Sequence, residues 1–111
     1  MTTFDERERS FEAKYAHDLE MNFRAEARRG LWLGLWAGRT MGLDPEALIT
    51  YAREIVRLDF ERAGIAHVVE KVTADMTTAG VTPEMPVEAK AAELLREAKV
   101  SVMTDPGPEA G

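Results

Sequence analysis

Few side chains in this 111-residue chain are of the kinds that bind metal or attack a carbonyl. His17 and His67 are the two histidines, and there is no cysteine. His17 and Asp18 are neighbours in sequence, so on a helix they diverge by about 100° and cannot aim at one ion. No H-E-x-x-H or comparable spacing occurs, and no metal site is expected. Ser10 and Ser101 have no histidine three or four residues away, so no activated hydroxyl is expected either. The carboxylates sit where helices want them, near N-termini and on solvated faces. These residues do not point to an enzyme.

Anion binding is the remaining chemistry. Gly30, Gly34, Gly38 and Gly42 recur at every fourth residue, but within a helical pattern, and the G-x-x-x-x-G-K-S/T signature of a phosphate loop is absent. Arg24, Arg28 and Arg29 with Trp32 could hold an anion beneath a stacked ring. The plainer alternative is a solvated arginine ridge beside a core tryptophan.

Positioning falls to helices. The composition, 45% hydrophobic and 31% charged, is that of a folded helical domain with one modest core. The absence of cysteine excludes a disulfide framework and fits a reducing compartment. No apolar run follows residues 1–9, so no secretory leader is expected. The longest apolar run, residues 31–37, is far below the roughly 20 residues of a membrane span. The net charge of −6 argues against a nucleic-acid binder. That charge is uneven. Residues 1–20 carry six acids and three bases, whereas residues 21–41 carry one acid and four arginines.

A T-x-x-E signature at Thr3 and Glu6 opens a pattern that meets no proline before Pro45 and no glycine before Gly30. Gly42 closes it. One helix over residues 4–41 would be about 57 Å long. Asp44-Pro45 starts a second helix, to about residue 63, with Leu48, Ala52, Ile55, Val56, Asp59/Phe60 and Ala63 at helical spacing. A third over 65–79 lacks a capping side chain, and its valines permit a strand, but the spacing of Val68, Val72 and Met76 favours helix. A fourth spans 87–103, and residues 105–111 read as a disordered tail. The expected class is all-α: a small four-helix bundle over 20–104, its first bundle helix about 20–41, preceded by a mobile arm over 1–19.

The two halves of the first helix differ. Residues 4–20 show one narrow apolar stripe, Phe4, Phe11, Tyr15 and Leu19, amid charge. Such a segment is marginally helical alone. Residues 21–41 widen to an apolar set with Phe23, Leu31, Trp32, Leu33 and Trp36, which implies burial on several sides. The glycine row would let another helix approach closely. Shorter helices can sheathe only about half of a 57 Å rod. The exposed stripe is suited to a partner's groove, or to a second copy of itself.

Several blocks carry a resemblance. They are Phe4-Asp5-Glu6-Arg7-Glu8-Arg9, the run from Phe11 to Asp18, Ala25-Glu26-Ala27-Arg28-Arg29, Leu33-Gly34-Leu35-Trp36-Ala37 and Met41-Gly42-Leu43. Together they resemble the alphaproteobacterial zeta subunit of the F-type ATP synthase. The likeness is strongest over the first 43 residues, weaker through residues 51–60, and general near Glu93-Leu94-Leu95. Tyr15 stands where that family usually has phenylalanine, and Gly30 and Gly38 replace other residues. Gly64-Ile65-Ala66-His67 replaces a glycine followed by acids.

The resemblance implies a regulatory inhibitor of ATP hydrolysis, not an enzyme. Its arm, residues 1–19, would wedge as a helix into the catalytic head, between the catalytic subunit interface and the rotor shaft. Phe4, Arg7, Phe11, Lys14, Tyr15 and Leu19 would be the contact residues. It also implies ADP or ATP as a regulatory ligand, with no required cofactor; Arg28, Arg29 and Trp32 are the residues offered for it. The free protein would be a cytoplasmic monomer, peripheral to the inner membrane only through the enzyme. Two rival readings are an adenine-nucleotide sensor and a homo-oligomeric helical module.

Overall fold

The computed structural model describes residues 3–104. The expected tail at 105–111 lies outside them, as do Met1, Thr2 and the side chains of Thr3 and Phe4. Four helices run in order: α1 (Thr3–Thr40), α2 (Pro45–Glu61), α3 (Ala66–Thr78) and α4 (Val87–Thr104). No strand occurs among the described residues. No helix there is long and apolar enough to cross a membrane.

Local chemistry sets the boundaries. Gly42 takes φ +75° just past α1. The Gly42 and Leu43 amides donate to the Arg39 and Gly38 carbonyls, both at 3.0 Å, the two bonds of a Schellman cap. Gly80 (φ +71°) closes α3 in the same way, with Gly80 and Val81 donating to Thr77 and Met76. Asp44 caps α2 by accepting from the Ala47 amide at 2.8 Å, with Pro45 at the first position. The third segment is a helix and not a strand, and it starts without a side-chain cap. α2 stops two residues before the expected Ala63, because Arg62 is extended (φ −160°).

α1 is one unbroken rod of 38 residues beside helices of 17, 13 and 18 residues. It sets the molecule's long dimension of 64 Å, against 27 and 23 Å across. The main core joins Leu33, Ala37, Ile55, Val68, Val72, Met76, Val87, Ala91 and Leu94. A smaller cluster, Ala25, Ala98 and Val102, packs the end of α4 onto the middle of α1. Trp32 lies half-buried against both clusters. The first fully enclosed α1 residue is Ala25, while every residue from Asp5 to Glu20 is exposed.

The glycine row does bring α2 close. A methyl group on Gly34 would sit 3.0 Å from the Ala52 Cα and 3.1 Å from the Ile55 Cβ, both on stiff, buried elements. At Gly38 the nearest atom would be a Leu48 Cδ1, the free end of a half-buried side chain. Gly34→Val is therefore expected to cost about 1–3 kcal/mol by prising α2 away. Gly38→Ala should stay within about 1 kcal/mol of the parent, as Leu48 rotates aside and helix propensity improves. Thermal melts followed by helical circular dichroism check both.

Candidate functional site

Two surfaces stand apart from the core. The first is the stripe on the free half of α1. Phe11, Tyr15 and Leu19 are 71%, 60% and 52% exposed. Arg7 and Lys14 are exposed beside them, and Lys14 pairs with Asp18 at 3.0 Å along the helix. Glu20 pairs with Arg24 at 2.7 Å, bridging the acidic and basic halves. Phe4, the remaining arm residue singled out from sequence, has its side chain outside the described residues. The helix persists through this segment because its costly nucleus already exists in the buried half of α1. Each outer residue needs only propagation.

The second surface is a groove of about 550 Å³ between α1 and α2. Phe23, Ala27 and Leu31 from α1 and Val56 and Phe60 from α2 line it. The Phe23 and Phe60 rings meet at 5.9 Å, tilted by 41°. They remain 59% and 54% exposed. The sequence pattern assigned Phe23, Leu31 and Phe60 to inward faces; the structure leaves them on the groove, because no third helix passes over this side. Arg24, Arg28, Arg53 and Arg57 also line it.

The trio Arg28, Arg29 and Trp32 does not converge on one cavity. Arg28 lines the groove but donates its Nη1 to Ser101 Oγ on α4 at 2.6 Å. Arg29 is buried rather than part of a solvated ridge, and it lines a separate recess of about 190 Å³ with Asp59. Trp32 lines neither of the two cavities. Sequence reasoning missed the partnership of Arg29 and Asp59; the close Gly30–Asp59 approach is what brings it about. Burial raises the Asp59 carboxyl above its ordinary range; Arg29 and His67 pull it back, and Glu26 pushes it further up. His67 Nε2 lies 2.9 Å from the Leu58 carbonyl, which accepts from it. No cluster of three metal-ligating side chains exists among the described residues.

On α2 and α3, Tyr51 donates to Asp75 at 2.8 Å, and Lys71 reaches Asp75 and Glu54 at 3.1 and 3.4 Å. This strut ties the two helices together, and its Tyr51 and Glu54 also line a shallow cavity of about 430 Å³ at the start of α2.

Exposure sets the expectation for the stripe. Phe11→Ala and Tyr15→Ala should each leave stability within about 0.5 kcal/mol of the parent, read from denaturant melts. Asp59 is the reverse case. Its folded state holds the proton more tightly than the unfolded chain, so stability falls as pH rises from the ordinary carboxylate range through the raised value. Asp59→Asn should melt at or above the parent at pH 7, and the gap should close as pH falls towards 4. Melts across that range measure it.

A model of the family described as ATPase inhibitor subunit zeta matches residues 1–101. A structure solved by solution NMR is 39% identical, superposes with a TM-score of 0.64, and covers 77% of this chain and 98% of its own. No curated protein matches the chain.

Proposed function

The chain belongs to the ATPase inhibitor subunit zeta family, and from that premise we propose that α1 is its working part, entering the catalytic head of an F-type ATP synthase and blocking hydrolysis. The observation that carries this is the bare stripe: aromatic side chains at four-residue spacing on a helix that outruns its own bundle. Laying one apolar helix face into a preformed groove is a standard recognition mode, with specificity in a few anchors.

Phe4, Phe11, Tyr15 and Leu19 are the apolar anchors, and Arg7 and Lys14 fix orientation by charge. A rigid helix lodged at a catalytic interface beside the rotor opposes the change of shape that each hydrolytic turnover requires. The bundle remains outside as a plug, since at 27 by 23 Å in cross-section it is far wider than a single helix of about 10–12 Å. Inhibition in this arrangement is steric, and it calls on no catalytic group of the inhibitor.

Removal of residues 1–19 should leave a folded helical bundle and abolish inhibition of ATP hydrolysis by the isolated catalytic head. Phe11→Ala with Tyr15→Ala should weaken inhibition at least tenfold, or about 1.4 kcal/mol. Steady-state ATPase titrations measure both. An arm-less chain that inhibits as well as the parent would assign the activity to the bundle.

A further inference from the structure

The groove between α1 and α2 pairs an apolar floor with a positive rim, in a chain whose net charge is −6. Phe23, Ala27, Leu31, Val56 and Phe60 give the floor, and four arginines flank it. Arg24 is engaged by Glu20, and Arg28 by Ser101. Arg53 and Arg57 lie one turn apart on α2, exposed, with no ion-pair partner among the described residues. Like charges at that spacing repel, and an anion held by both relieves the repulsion.

The groove is closed at one end. The Phe23 and Phe60 rings meet at 5.9 Å, and the same two rings line the recess beside Arg29. They stand as the wall between the two cavities. The helices run antiparallel here, since Gly30 meets Asp59 and Gly34 meets Ala52. Leu31 and Arg53 therefore lie together at the other end. Leu31 is eight residues from Phe23, about 12 Å, and Arg53 is seven from Phe60, about 10 Å.

We propose that this slot takes a single-chain amphiphile with an anionic head, a fatty-acid carboxylate of medium length. Its chain lies along Leu31, Val56 and Ala27 with its end against the two rings, and Arg53 and Arg57 hold the carboxylate. A cavity of about 550 Å³ with apolar walls and a few polar groups to fix one end has the make-up of a small-molecule site. Other occupants fit less well. A partner's helix, about 10–12 Å across, runs along a groove and needs both ends open. A nucleotide would lay base and sugar on a floor whose side chains offer no hydrogen bond, a desolvation cost that nothing there offsets. Occupancy leaves the arm free. The four-residue rows of α1 turn about 40° per step, so the stripe centred on Tyr15 and the groove centred on Ala27 face sides about 120° apart. Binding at the groove does not depend on what the arm does in an ATP synthase.

Amide chemical-shift titration of the full chain with octanoate, decanoate and dodecanoate tests this. Shifts should centre on Ala27, Leu31, Val56 and Phe60 and leave Phe11 and Tyr15 unmoved. Each two-carbon extension should tighten binding at least threefold while the added methylenes still find floor to cover. Arg53→Glu with Arg57→Glu should weaken decanoate at least tenfold and leave decanol unchanged. No shift with decanoate up to about 5 mM, shifts centred away from the groove, or a decanoate affinity indifferent to the charge reversal overturns the proposal. So does ATP that moves the groove amides more than decanoate does at equal concentration, which gives the groove to a nucleotide.

Discussion

The contact at Gly34 fixes where everything else can lie. With no side chain there, the α2 backbone rests directly on α1, and Ala52 and Ile55 close over the gap. Once α2 is seated at that point, its 17 residues reach back along α1 only as far as Phe23, where Phe60 meets it. α4 reaches a little further, to Met21, through Ala98 and Val102. Nothing remains to cover residues 5–20. The bareness of the arm is therefore a consequence of helix lengths and of one register, and needs no special instability in the arm itself.

Charge follows the same division. The arginines of the covered half of α1 find different partners: Arg24 pairs with Glu20 on the same helix, Arg28 donates to Ser101 on α4, and Arg29 lies near Asp59 on α2. Arg29 is drawn in beside Asp59 although both lose water, which lifts the Asp59 carboxyl even as Arg29 steadies it. Such a buried pair contributes little net stability, since desolvation offsets attraction. Gly30 gives room for the carboxylate to lie against α1. Phe23, Leu31 and Phe60 lie on the open side. The uncovered half of α1 is acidic, which keeps an exposed aromatic stripe soluble and gives it a sign that a partner can read.

How far the sequence disclosed this depends on what each signal measures. Caps and terminators were plain because their chemistry is local: Asp44-Pro45 and Gly42 lie where they were expected to act. The overshooting first helix was plain because length is arithmetic. The glycine row announced close packing and delivered it at Gly30, Gly34 and Gly38. The groove was not visible. Helical periodicity shows which face of α2 is apolar, but it cannot show that no third helix passes over Phe60 and Phe23. Arg29 was hidden for a related reason. In sequence it stands beside Arg28 as half of a basic pair, and only the 100° between neighbours sends one side chain to Ser101 and the other to Asp59.

Covering α1 on one half and baring it on the other also bears on how the bare half works. A free peptide of residues 3–20 would have to nucleate its own helix, a step unfavourable by a factor of about a thousand. Joined to a segment that Leu33 and Ala37 have already locked into the core, the same residues need only extend it. In the proposed mechanism the bundle serves the arm twice: as the bulk that stays outside a partner's cleft, and as the nucleus that presents Phe11, Tyr15 and Leu19 in helical register. A bundle of four equal helices would give neither, because it would bury the stripe it nucleated. The inequality of the helices is what lets one chain be both a folded domain and a helical probe.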